Sequence, residues 1–335
     1  MEKSLDTKIK RIREDSSVKD FILADAKDGD MGFGISCPGP NKGDTKERFP
    51  FDTLESYRQS MREITEQGLV DIMLMSASVS EQLTINERIF ENSTVTPAVR
   101  ANDTTDIWLG LSADYTSQPS QPFRSATIDH IQSGKVDCTD EERTLGADLG
   151  LYSVTFNHDS TLDRESLQHY GEFRLEAERK NFRHFLEVFA PNAPVREIDD
   201  VPRFVNDHIA RCLGGVTSSA RPLFLKMPYF GPAAMEQLVE YDPNLIPGIL
   251  GGSSGTTHDA FRMLWEAKKY GARAALFGRK INFAENQLMF IRMLRALADD
   301  EIEPEEAVRD YHGQLQSAGI APHRGLDDDL QLTQL

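Results

Sequence analysis

Eight short apolar runs, rich in β-branched and aromatic residues, recur along the chain and leave between them segments able to hold helices. They are FILAD (21–25), LVDIMLMS (69–76), VTPAVRA (95–101), ADLGLYSVTF (147–156), RHFLEVFA (183–190), PLFLKMPY (222–229), LIPGILGG (245–252) and RAALFGR (273–279). Most are continuous rather than alternating. A strand of that kind is buried on both faces, which is the condition of a parallel sheet covered by helices. Helix signals sit between the runs. Asp52-x-x-Glu55 resembles a capping box ahead of LESYRQSMREITEQ, which Gly68 stops. Thr256 leads into a helix that stacks Phe261, Leu264, Trp265 and Lys268, with Gly271 at its end, and NQLMFIRMLRALAD places Leu288, Ile291 and Leu294 on one stripe.

Eight strands with helical crossovers predict an α/β chain folded as a closed (β/α)8 barrel of the TIM type, a single domain over 21–320. The competitor is an open doubly wound sheet. It lacks support, because GFG at 32–34 has neither the third glycine nor the helix of a dinucleotide-binding turn. Residues 1–20 read as an N-terminal charged segment and 321–335 as a polar C-terminal tail. Residues 101–146, between the third and fourth strands, are too long for a simple connection and read as an insertion over one barrel mouth. The Gly/Pro-rich stretch 31–44 reads as a second mouth loop.

The net charge of −17 argues against nucleic acid as a partner, since phosphate neutralisation needs clustered Lys and Arg. It leaves room for an anionic small molecule in a locally positive site. Cys37, Cys138 and Cys212 are far apart and form no Cys-x-x-Cys pair, so neither a disulfide framework nor a zinc site follows. No apolar leader and no run of 18 apolar residues is present, so a cytoplasmic protein without membrane insertion is expected.

Within PLFLKMPY one charge, Lys226, interrupts an otherwise apolar strand. Three readings stand open. The side chain reaches the surface or pairs with a carboxylate, or it binds phosphate as a point charge, or it is a Schiff-base nucleophile, because burial favours the neutral amine that attacks a carbonyl. A sixth-strand residue near the C-terminal end points at the place where barrel active sites sit. After the seventh run comes GGSSGTTHDAF, a Gly/Ser-rich turn entering a helix whose N-terminus favours an anion. After the eighth comes Gly278-Arg279, able to close on the same anion.

In order and position these motifs resemble the class I (Schiff-base) aldolases of the archaeal-type fructose-bisphosphate and tagatose-bisphosphate branch. GADLGLYSVTFN is similar to that family's fourth strand, FRHFLEVF to its fifth, PLFLKMPY to its sixth, PGILGGSSGTTHDAF to its seventh and YGARAALFGRKINFAEN to its last; FILADAKDG is a weaker match to the first. The resemblance implies that Lys226 forms the iminium, Glu187 acts as general acid/base, and Asp25 orients the lysine or substrate hydroxyls. It further implies that Gly251, Gly252, Ser253, Gly278 and Arg279 hold a phosphate, with Lys27 in place of an arginine.

Three positions depart from the family. Leu151 falls where the tagatose branch has a second lysine, Phe189 falls where the fructose branch has a tyrosine, and DAKDGD replaces the usual first-strand motif, so this is a divergent member. The implied function is a metal-independent lyase that cleaves or forms a carbon–carbon bond of a phosphorylated ketose, with no cofactor. The eight histidines show no His-x-x-x-His pair that would suggest zinc. The alternatives are a transaldolase-like or acyl-transferring relative using the same lysine, or a non-catalytic sugar-phosphate-binding barrel. The expected partner is a phosphorylated sugar, and the resemblance leaves room for a homo-oligomer.

Overall fold

The eight runs become eight parallel strands in the computed structural model: β1 (Ile22–Lys27), β2 (Ile72–Met75), β3 (Thr96–Arg100), β4 (Leu149–Thr155), β5 (Arg183–Phe189), β6 (Leu225–Lys226), β7 (Gly248–Leu250) and β8 (Ala274–Phe277). The structure describes residues 1–15, 17–41, 43, 46–252 and 255–333. Each strand pairs with its neighbour in sequence, and β8 returns to β1. A bridge between Met227 and Ile249 joins β6 to β7 and closes the barrel. β6 has two ladder residues although its run is longer. Pro222 and Pro228 flank it, and proline has no N–H to give a neighbouring strand.

Strand parity decides which residues face the barrel axis. Ile22, Ala24, Ile72, Leu74, Ala98, Leu149, Leu151, Phe185, Phe224, Ala274 and Leu276 form one interior cluster. Their neighbours Leu23, Met73, Val99, Tyr152, Leu186, Leu225 and Phe277 pack outward against the helices. The N-terminal charged segment contains a helix, Ser4–Glu14, whose Leu5, Ile9 and Ile12 join the interior cluster. The helix therefore plugs the lower end of the barrel, each buried aliphatic side chain contributing about 1.5–3 kcal/mol relative to exposure.

Two helix starts refine the sequence reading. The helix Leu54–Gln67 is capped by Thr53, whose side chain accepts from the Ser56 N–H, rather than by Asp52; Gly68 ends it in the left-handed region at φ 69°. The helix Thr257–Lys269 carries a full capping box between Thr256 and Asp259.

The insertion after β3 contains a small antiparallel pair, Asp103–Thr104 with Pro122–Phe123. Trp108 holds it together, packing edge-on against Tyr115 and Phe123. Leu109 N–H donates to Gly32 O at 2.8 Å, tying the insertion to the loop after β1 across the mouth. Among the described residues no helix is long and apolar enough to cross a membrane.

Candidate active site

Four inward-facing polar side chains come from consecutive strands. Arg100 ends β3, Ser153 lies on β4, Glu187 on β5 and Lys226 on β6. Ser153, Glu187 and Lys226 are direct register neighbours, so parallel pairing brings them level. Lys226 Nζ lies 2.6 Å from Glu187 Oε1, and the two residues are 7% and 1% exposed. Ser153 Oγ donates to Glu187 Oε2 at 2.6 Å, and Arg100 donates to Ser153 Oγ at 2.9 Å and to Glu187 Oε2 at 3.5 Å. Arg100 Nε also reaches across the mouth to Asp28 Oδ2 at 2.5 Å. Burial pushes the Asp28 carboxyl up, but Arg100 and then Lys226 outweigh it and hold the carboxyl below its ordinary range. Burial likewise works against the Arg100 charge, and Asp28 and Glu187 more than restore it.

Asp28, Arg100, Glu187 and Lys226 line a cavity of about 410 Å³ at the C-terminal mouth of the barrel, where active sites of this architecture sit. Gly251, Gly252, Gly278 and Arg279 line one side. A Cβ on Gly251 would lie 2.2 Å from the Phe277 ring and one on Gly278 would lie 2.8 Å from Ala26 O, while Gly252 has φ +57°. Glycine lets the backbone ends of β7, β8 and β1 converge there. Arg279 packs over the Phe33 ring, its Cζ 5.5 Å from the centroid, and forms no ion pair with a described carboxylate. Ser253 lies outside the described residues.

Two expected site residues are elsewhere. Asp25 and Lys27 are fully buried, yet they belong to the outward parity of β1, as Leu23 does, and neither lines the cavity. Lys27 Nζ lies 3.5 Å from Asp25, donates to Asn282 Oδ1 at 3.1 Å and to Gln287 Oε1 at 2.7 Å, and sits 5.6 Å from the Tyr57 ring centroid. It belongs to the layer between barrel and helices, away from the cavity lining. Burial raises the Asp25 carboxyl to about 6 against the pull of Lys27. The residue of this segment that does reach the site is Asp28, three positions on, where the inward parity of β1 resumes.

The anion expected at the N-terminus of the helix after β7 is supplied by the chain itself. Thr257 N–H donates to Asp329 Oδ1 at 2.8 Å, and His312 Nε2 lies 3.0 Å from Oδ2 of the same carboxylate. Burial opposes this charge, but those two partners hold the Asp329 carboxyl below its ordinary range. The polar tail is therefore docked: His258 Nδ1 lies 2.7 Å from Leu330 O, and Thr333 Oγ1 donates to Asp259 at 2.5 Å. Of the groups expected around an anion, Gly251, Gly252, Gly278 and Arg279 line the cavity, while Thr257 at this helix start faces Asp329.

Leu151 lies one layer below the polar set, paired with Phe185, and the β4 residue level with Glu187 is Ser153. Phe189 lies one layer above and lines the cavity. Sequence reasoning missed Arg100, Ser153 and Asp28. Arg100 carried a readable signal, a lone charge at the end of an apolar run; Ser153 carried none. Among the described residues no group of three or more His, Cys, Asp or Glu side chains converges as metal ligands would.

No protein-family model and no curated protein matches the sequence. Solved structures do share its fold. A fructose-bisphosphate aldolase from Slackia heliotrinireducens is 13% identical with a TM-score of 0.62, covering 94% of this chain and 92% of its own. A Schiff-base-forming fructose-1,6-bisphosphate aldolase is 15% identical with a TM-score of 0.60, over 89% and 100%. An archaeal fructose 1,6-bisphosphate aldolase is 14% identical with a TM-score of 0.59, over 88% and 99%. At that identity the likeness is one of fold: the chain is a (β/α)8 barrel of the shape those aldolases adopt.

Proposed function

We propose that the protein is a class I aldolase that cleaves or forms a carbon–carbon bond of a phosphorylated ketose through an iminium on Lys226. The observation that carries this reading is the 2.6 Å contact between Lys226 Nζ and Glu187 at the base of the mouth cavity. It sets a buried amine against a carboxylate at hydrogen-bond distance, the arrangement that general acid/base and nucleophilic catalysis require. The fold shared with Schiff-base-forming aldolases supports it.

In the cleavage direction Glu187 takes the ammonium proton and Nζ attacks the ketone carbon. The carbinolamine nitrogen passes a proton to its neighbouring oxygen, Glu187 returns the lysine proton to the resulting hydroxyl, and loss of water leaves a protonated iminium and an ionised Glu187. The bond between the carbons α and β to it then breaks, its electron pair entering the iminium to give an enamine. The β-hydroxyl gives its proton to Glu187 and leaves as an aldehyde. Protonation of the enamine carbon and addition of water release the ketone and the free lysine. Arg100, anchored by Asp28, positions Ser153 and Glu187. The phosphate faces Arg279 and the glycine turn.

Borohydride reduction in the presence of dihydroxyacetone phosphate tests the reading. A covalent mass increase on the peptide containing Lys226, absent in Lys226→Ala, is expected. Binding of the ligand without any adduct would favour a sugar-phosphate-binding barrel instead.

A further inference from the structure

We infer that the substrate carries one phosphate, on the β7–β8 side of the cavity, and that the half released as aldehyde is uncharged and largely apolar. The inference rests on the aldolase reading above and concerns which ketose it acts on.

A closed barrel of eight strands sets β4 opposite β8. The glycine turn and Arg279 occupy the β7–β8 side. On the facing side Asp106 bonds Thr155 at the end of β4, Phe189 ends β5 and Asn192 follows it; from there the insertion carries Ile107 and Leu109 across the mouth to the loop after β1, where Leu109 N–H donates to Gly32 O. Among the described lining residues the cations are Arg100, Lys226 and Arg279. Arg100 is spent on Asp28, Ser153 and Glu187, and Lys226 is the proposed nucleophile. That leaves Arg279, and it stands on the first side.

The polar groups of the far wall are committed elsewhere. Asp106 accepts from Ser120 Oγ at 2.8 Å and from Thr155 Oγ1 at 2.7 Å. Asn192 Nδ2 donates to Thr116 O at 2.9 Å and Gln118 O at 2.7 Å, while its Oδ1 accepts from Ser120 N–H and Asn157 Nδ2. A second phosphate placed there would meet a carboxylate and apolar side chains, with no cationic side chain and no uncommitted side-chain donor among the described lining residues on that side. Like charge and an unanswered desolvation both oppose binding. An uncharged chain would instead cover Ile107, Leu109 and Phe189, which face the cavity while Leu109 is 42% exposed.

The test compares two acceptors in the synthetic direction, where the donor enamine carbon bonds to the aldehyde carbon and the aldehyde oxygen takes up a proton. With dihydroxyacetone phosphate as donor, kcat/KM for butanal is expected to exceed that for glyceraldehyde 3-phosphate by on the order of 10-fold or more. Leu109→Arg should shift the ratio toward the phosphorylated aldehyde, and Asp106→Asn should shift it the same way. Leu109 is the safer variant, since Asp106 also anchors the insertion. Borohydride trapping of the donor on Lys226 is run alongside. If the adduct forms but the phosphorylated aldehyde is preferred, the two are equal, or butanal is not turned over, the inference is overturned and the aldolase reading stands. If no adduct forms, both fall.

Discussion

Two lysines in this chain are buried in strands beside a carboxylate, and they sit in different kinds of place. Lys226 and Glu187 face the barrel axis and open onto the mouth cavity. Lys27 and Asp25 face the helices and are sealed, with Asn282, Gln287 and Tyr57 completing the surround. Composition, burial and charge type are nearly the same in the two pairs. Strand parity separates them, and parity decides whether a buried charge can meet a ligand. A sealed pair is a structural device whose desolvation its partners must offset. An open pair keeps one amine within reach of a carbonyl.

The comparison can be broken in several ways. Lys226→Ala should lower turnover by on the order of 10⁴-fold or more, as loss of a covalent nucleophile does, measured as kcat/KM on whichever ketose phosphate traps. Glu187→Gln should cost about 10²–10⁴-fold in kcat with the fold retained, seen by circular dichroism beside the rate assay. Lys27→Ala should do the reverse. It leaves Asp25 buried and unpaired and should lower unfolding free energy by about 3–5 kcal/mol in urea titration, with kcat of the folded protein nearly unchanged. Replacing both members, Asp25→Leu with Lys27→Met, should recover most of that loss.

The smallest effect is a pH dependence. The folded Asp25 carboxyl is raised from 3.8 to about 6, so the folded chain binds this proton more tightly than the unfolded chain does. Its contribution to stability is therefore present below the unfolded value and is lost as pH rises through about 6. Urea midpoints taken from about pH 4 to pH 7 should show wild type losing ground to Asp25→Asn across that window. A flat difference would mean that Lys27 neutralises Asp25 fully, and the two pairs would then be more alike than their surroundings suggest.

Much of the site was legible because a lone charge in an apolar strand is a costly choice. Lys226 stands out on that ground and Arg100 carried the same mark, whereas Glu187 was reached through the family resemblance. Asp25 and Lys27 were likewise expected from the resemblance, and the structure sets them outside the cavity lining. A strand buried on both faces shows no alternation, so nothing in FILADAK says which of two adjacent positions faces the axis. Asp28 falls just beyond the strand and continues the inward parity of Ala24 and Ala26, which is known only once the facing of that strand is known. Ser153 looks like any strand serine until parallel pairing sets it level with Glu187.

The glycine turn and Arg279 were expected to share an anion with a helix N-terminus. The structure gives that N-terminus to Asp329, 72 residues along the chain. A tail judged by composition alone has no visible docking partner.

Local sequence was enough to determine the eight strands, most of their crossover helices and the closed barrel they build. Those follow from hydrophobic burial and capping, which act over a few residues. Which side of each strand meets the axis, the span from Arg100 to Asp28, and the carboxylate that closes the helix after β7 were settled only by the assembled barrel. They depend on register and closure, which bring together groups that no short stretch of chain relates.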